Sequence, residues 1–300
     1  MLDVDAHSSS GALGQRPRKW RRVLWPLLAG ALLLAGLVPV ATNLWTSVFR
    51  PPPMSEGTWT LRFAEDFNAP GLDGTRWTTC YWWDDAGCTN KGNAELQWYL
   101  AENALVAGGL LELVARQEPV EIDGETYPYT SGMVTSGRYY DERDAPDRFS
   151  FTYGYVEVSA KIPKGRGLWP AIWLLPSNHT SVPEIDVMEA LGDATNTLEM
   201  HYHFRQQDEK LNVGKSLVTS DLSTAFHRYG VEWSTKGIRW YLDGREVWRI
   251  GHDVPIAAGP MYLLINLAVG GEWAGSDIDE SRLPASFLID YVKVWQRNAS

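Results

Sequence analysis

The chain has 300 residues, 44% of them hydrophobic, with 27 Lys and Arg against 37 Asp and Glu and a formal net charge of −10. That is enough for one large domain with a sizeable core. Residues 1–50 hold six basic groups (Arg16, Arg18, Lys19, Arg21, Arg22 and Arg50) against Asp3 and Asp5, so the remainder is strongly acidic, which argues against nucleic acid as a partner.

Residues 1–22 read as a short basic tail, polar and Gly/Ser-containing at first, then Arg16-Pro-Arg-Lys-Trp-Arg-Arg22. The run Val23 to Leu44 carries no charge, and its 22 residues are long enough to cross a bilayer as a transmembrane helix. The basic cluster before it places that end in the cytoplasm. The expectation is a signal-anchor: a single-pass cell-membrane protein with its body outside the cytoplasm. Secretion after signal cleavage is the alternative. A signal peptide normally has a shorter apolar region, and Pro39 stands where a small residue is expected before Val40-Ala41. Residues 45–57, with Pro51-Pro-Pro53, read as a stiff linker.

Residues 58–297 read as one all-β domain. Cys80 and Cys88 lie in one Trp-rich loop. Two free thiols are one reading, and a loop-closing disulfide is the expected one in an exported chain. From Tyr155 to Ile162 the chain alternates, with Val156, Val158, Ala160 and Ile162 on one face and Glu157, Ser159 and Lys161 on the other. Ile238 to Leu242, Asp243-Gly244 and Arg245 to Ile250 form a hairpin signal, and Phe287 to Trp295 another strand. Long helical patterns and internal repeats are absent. Many short strands point to a two-sheet sandwich. Fifteen Trp exceed ordinary core needs and suit a surface that stacks flat rings, sugars among them.

The hexapeptide Glu184-Ile-Asp-Val-Met-Glu189 is the most informative segment. Alternation puts Glu184, Asp186 and Met188 on one face and Glu189 on the other. A one-residue bulge near Val187–Met188 turns Glu189 back to join the other acids. Two carboxyls flanking a bond are what glycoside hydrolysis needs. A hydrophobic strand with a polar outer face accounts for the same six letters.

The hexapeptide resembles the bulged active-site strand of glycoside hydrolase family 16. Further segments resemble that family in order: Phe63-Ala-Glu-Asp-Phe-Asn68, Asn93-Ala-Glu-Leu-Gln-Trp-Tyr99, Tyr153-Gly-Tyr-Val-Glu157, Gly167-Leu-Trp-Pro-Ala-Ile-Trp173, Asn266-Leu-Ala-Val-Gly-Gly271 and Asp290-Tyr-Val-Lys-Val-Trp295. The resemblance implies a concanavalin-like β-jelly roll of two antiparallel sheets with a polysaccharide cleft. It implies retaining, endo-acting hydrolysis of a β-linked polysaccharide, with Glu184 as nucleophile, Glu189 as general acid/base and Asp186 between them. Transglycosylation and plain glycan binding are the alternatives. Trp169 and Trp173, evenly spaced on one strand, are expected to stack sugars. His201 and His203 share a face, and one is expected near the nucleophile. Asn266, Trp273 and Asn93 match cleft positions. No cofactor for catalysis is implied. A structural calcium is found in many members, and Asp290 matches its side-chain ligand. A monomer is expected.

The chain departs from the family pattern in two places that bear on substrate. Thr180-Ser-Val-Pro183 stands before Glu184 where the β-1,3-glucanases often carry Trp-Pro and Gly, and Met133 stands where Arg is frequent. Laminarin-type glucan, mixed β-1,3/1,4-glucan and exopolysaccharide all remain open.

Overall fold

Apart from three single-turn 3-10 helices, the regular structure is all strand, in a computed structural model that describes residues 57–82, 87–142 and 144–298. The basic tail, the 23–44 apolar run and nearly all of the 45–57 linker lie outside the described residues. Among those described, no helix is long and apolar enough to cross a membrane.

The first eight strands are β1 (Trp59–Glu65), β2 (Gln97–Tyr99), β3 (Ala104–Ala107), β4 (Leu110–Ala115), β5 (Val120–Ile122), β6 (Glu125–Tyr127), β7 (Tyr129–Ser131) and β8 (Met133–Thr135). Then follow β9 (Gly154–Lys161), β10 (Leu168–Pro176), β11 (Glu184–Glu189), β12 (Thr197–Gln206) and β13 (Glu209–Val218). The last are β14 (His227–Ser234), β15 (Gly237–Leu242), β16 (Arg245–Ile250), β17 (Met261–Val269) and β18 (Ala285–Arg297). One sheet has the order β16-β15-β14-β9-β18-β4-β3, with β1 also on β18, and the other runs β13-β12-β11-β10-β17-β8. All pairings in both sheets are antiparallel, as the two-sheet expectation requires.

The inner faces of the sheets meet in one core. Val156, Val158 and Ala160 of β9 and Ile172 and Leu174 of β10 are buried there, as are Trp233, Trp240 and Phe287. The Asp243-Gly244 turn joins β15 to β16 as expected, with both residues at positive φ, as a tight hairpin turn requires. The second face of β9 is not solvated, since Glu157 is only 5% exposed and accepts hydrogen bonds from Tyr155 (2.9 Å) and Tyr291 (2.8 Å). Tyrosines beside it satisfy the carboxylate.

A second, smaller core lies on the other side of the β10–β17 sheet. Cys80, Tyr81, Cys88, Trp98, Tyr99, Met133, Leu175 and Tyr262 pack together there. β17 is therefore buried on both faces, and it is apolar throughout except for Asn266. The Cys80–Cys88 disulfide is formed and anchors this cluster. It closes a loop across a sequence separation of 8 residues. Replacing both cysteines by Ala should lower stability by about 2–3 kcal/mol in urea unfolding, through a looser unfolded chain and a weaker cluster. An unchanged midpoint would show that the aromatic packing alone fixes the loop.

Candidate active site

β11 lies inside its sheet, between β10 and β12. Against β10, Ile172 pairs with Met188 and Trp173 with Asp186, so Val187 has no opposite residue. The expected bulge is there. Ile185, Val187 and Met188 all enter the core, and the break in alternation turns Glu189 to the face that carries Glu184 and Asp186. All three acids line one cleft cavity of about 430 Å³. Larger cavities, of about 670 Å³ beside Trp59 and about 530 Å³ beside Pro260, each gather at most one carboxylate, so size does not identify the site.

The strand neighbours hold the acids. Trp169 Nε1 donates to Glu189 Oε1 at 3.0 Å. On β12, His203 pairs with Glu184 and His201 with Asp186. His203 Nε2 lies 3.2 Å from Asp186 Oδ2 and 3.9 Å from Glu184 Oε1. From across the sandwich, Trp240 Nε1 donates to the backbone carbonyl of Asp186 at 2.8 Å.

Burial pushes all three carboxyls up from their ordinary values. At Glu184 the charge of Asp186 adds to the rise, and at Asp186 that of Glu189 does. Glu189 is pushed up to about 7, chiefly by burial, against the opposing pull of Trp169. Each ionised acid makes the next harder to ionise, so the group gives up its protons in steps and still holds at least one near neutrality. One ionised and one protonated carboxyl in a single cleft can act as nucleophile and proton donor.

The floor beside the acids is aromatic and amide. Trp169 and Trp173 both line the cavity, as their even spacing predicts. Trp173 Nε1 donates to Asn266 Oδ1 at 2.8 Å, and Asn266 Nδ2 donates to the Tyr99 hydroxyl at 3.0 Å. Asn93 lines the cavity and donates to Glu95 at 3.2 Å. Trp273 is 40% exposed and meets Trp169 edge-on, with ring centres 5.2 Å apart, at the rim rather than in the cavity wall. His201 and His203 stand beside the acids on the neighbouring strand, outside the cavity wall. Sequence reasoning missed Tyr81, Asn90, Glu95, Ser181 and Lys210, which also line the cavity. Glu95 lies in the Asn93–Tyr99 segment that resembles the family, but nothing local marks Lys210. It reaches the cleft only because β13 pairs with β12 and its amine donates to Ser181 at 2.8 Å.

Asp290 lies at a bulge of β18, remote in sequence from these elements, and accepts a hydrogen bond from Ser159 at 3.1 Å. One carboxylate and one hydroxyl fall short of the six or more oxygens that calcium takes, so a calcium at Asp290 would draw most of its oxygens from the backbone.

Residues 109–293 match the family described as Glycosyl hydrolases family 16. The chain is 38% identical over 256 residues to the endo-1,3-1,4-beta-glycanase EglC of Rhizobium meliloti, a match covering 80% of this chain and 52% of that protein. The chain thus spans about half the length of that relative. It is 34% identical over 262 residues to a beta-glucanase of Rhodothermus marinus, covering 79% of this chain and 85% of that one. Among solved structures, the laminarinase catalytic domain of Thermotoga maritima superposes with a TM-score of 0.70 at 31% identity, over 80% of this chain and 99% of that one.

Two outcomes test the geometry. Deleting Val187 leaves Glu184, Asp186 and Glu189 in plain alternation, still on one face. Activity should stay within about tenfold of the parent, while loss of the buried Val costs about 1.5–3 kcal/mol in unfolding. A folded but inactive deletion would show that the bulge itself sets the distances.

The second concerns pH. Folded Glu189 takes up its proton near 7 and the unfolded side chain near 4.5. Between those values the unfolded chain releases a proton that the folded chain keeps, so stability falls as pH rises through the window. Glu189→Gln removes that loss. The variant should exceed the parent by up to about 3 kcal/mol at about pH 8 and show no such gain at about pH 4. A gain that is the same at both would place the titration elsewhere.

Proposed function

The chain belongs to glycosyl hydrolase family 16 and is a glycoside hydrolase, and on that premise we propose that it cuts β-1,3- or mixed β-1,3/1,4-glucan internally, with retention, through a covalent glycosyl-enzyme. Glucanases of this family need no cofactor for catalysis. The observation that carries the reading is the convergence of Glu184, Asp186 and Glu189 on one cleft through the β11 bulge. Names of relatives support the linkage class.

In this mechanism Glu184 attacks the anomeric carbon while protonated Glu189 delivers its proton to the leaving oxygen. Asp186 is the most buried of the three, at 2% exposed, and is the acid least able to bear a charge. Its retained proton stabilises ionised Glu184 beside it. Glu184, with its side chain 25% exposed, is the better placed to ionise. Once Glu184 is esterified, its charge is gone. Glu189, having lost its proton, then takes one from water, which attacks the anomeric carbon, breaks its bond to the Glu184 oxygen and frees Glu184. Trp169 holds the Glu189 carboxyl toward the bond through its indole N–H. Trp173, fixed by Asn266, offers a flat face for a sugar ring.

We further propose that the catalytic body works outside the cytoplasm, tethered by residues 23–44. The Cys80–Cys88 disulfide supports an oxidising compartment.

The decisive experiment is product analysis on laminarin, lichenan, curdlan, agarose and a bacterial exopolysaccharide, with Glu184→Gln as the blank. Short oligosaccharides from a glucan, absent in the blank, are expected. Turnover should fall at least about a thousandfold in Glu184→Gln and about 10²–10⁴-fold in Glu189→Gln. The latter should recover its first step on substrates with good leaving groups. Products longer than the substrate would overturn hydrolysis in favour of transfer, and binding without product would overturn catalysis.

A further inference from the structure

Beside the acids, β12 presents two imidazoles that the hydrolytic cycle leaves without an assigned step. The ligand atoms of Asp186, His201 and His203 lie within 4.8 Å of one another. The His201 and His203 rings are stacked at 26°, with centres 6.0 Å apart, so they face the same way. The Asp186 side chain is only 3% exposed, and its buried Oδ2 takes no hydrogen bond although His203 Nε2 is 3.2 Å away. A buried carboxylate oxygen without a hydrogen bond is costly unless something else meets it.

Two imidazoles and a carboxylate are the donors of many tetrahedral zinc centres, with Zn–N and Zn–O distances of about 2.0–2.2 Å and hence ligand–ligand edges of about 3.3 Å. The edge from Asp186 Oδ2 to His203 Nε2 already has that length. His201 is the outlying donor, and rotation of its partly exposed ring brings it in. Room for that ring comes from Gly214, opposite it on β13, where a Cβ would stand 3.2–3.3 Å from the imidazole. Two further carboxylates add negative charge around the position. Glu184 Oε1 is 3.9 Å from His203 Nε2, and Glu199 Oε2 is 3.7 Å from His201 Nε2.

We propose that Asp186, His201 and His203 form a zinc-class cation site that closes the cleft to catalysis. A divalent ion there displaces the Asp186 proton to solvent, engages the resulting carboxylate beside the nucleophile, draws the charge of Glu184 toward itself and competes with the sugar over these acids. The ion is an inhibitor, not a cofactor. The inhibition rests on the hydrolase reading given above, whereas the binding does not.

The test titrates the purified full-length chain with ZnCl₂ in a non-chelating buffer by calorimetry. Co²⁺ serves as an optical probe of tetrahedral coordination, and laminarin hydrolysis is followed in parallel. One equivalent should bind, tetrahedral d–d bands should appear, and inhibition should be competitive with glucan and reversed by EDTA. His201→Gln should lose at least about tenfold in zinc affinity, and its melting curve without metal checks that it folds. His203→Gln serves as a second variant. Zinc bound equally well by both folded variants would overturn the site, as would no binding at all. Site-dependent binding without inhibition would overturn the switch. Hydrolysis indifferent to zinc would sink this inference alone. His201-dependent zinc binding in a chain that cuts no glucan would sink the hydrolase reading and uphold the site.

Discussion

The hydrogen bond from Trp240 to the backbone carbonyl of Asp186 joins the two sheets where β11 leaves its regular ladder. A bulge removes backbone groups from sheet pairing, and a buried carbonyl left unmet costs about 1–3 kcal/mol. Trp240 meets it from the opposite sheet, held in place by Trp248 stacked at 4.2 Å. The bulge therefore sits against the core with the Asp186 carbonyl met. Without the bulge between Asp186 and Glu189 in this six-residue strand, Glu189 would point among Ile172, Leu198 and Met200 instead of into the cleft. The placement of three acids thus depends on a core tryptophan more than fifty residues further along the chain.

What surrounds those acids decides their chemistry. Among the described residues, the ion-pair partners of Glu184 and Asp186 are His203, with no guanidinium or ammonium. A fixed cation would keep every carboxyl ionised and remove the proton donor. Imidazole is a weaker partner that leaves burial in control, and burial favours the protonated form. Lys210 reaches the same cavity but is engaged with Ser181. The cleft thus keeps the mixed protonation that a nucleophile and an acid need side by side.

The legible parts of the sequence were those where one residue type has one physical use. Three acids among Ile, Val and Met had to face away from a core, and a two-to-one bulge was the way for Glu189 to join the others. Even spacing put Trp169 and Trp173 on one face, and Asp243-Gly244 fixed a hairpin. For Glu157, alternation reported which face the side chain takes, not what covers that face. Tyr155 and Tyr291 cover it. Lys210, Ser181 and Tyr81 were illegible because strand pairing across the sheet and the loop closed by the disulfide bring them in, and neither leaves a local pattern.

Asn266 shows why the cleft floor is stiff. It is the one amide in the otherwise apolar β17 and is 4% exposed, a costly position unless satisfied. It accepts from Trp173 and donates to Tyr99, and the Tyr99 hydroxyl donates in turn to Glu95 at 3.3 Å. Gln97 continues the chain, donating to Glu95 at 2.6 Å and accepting from the Val269 amide at 2.6 Å. Every group in this run has its rotamer fixed by the next, and the run begins at the indole that faces the cleft and ends in the backbone of β17. A stacking ring held this way gives up little freedom when a sugar settles on it, so more of the contact energy remains to orient the bond over the acids. The polar residue within the apolar strand is therefore the means by which the scaffold's rigidity reaches the cleft.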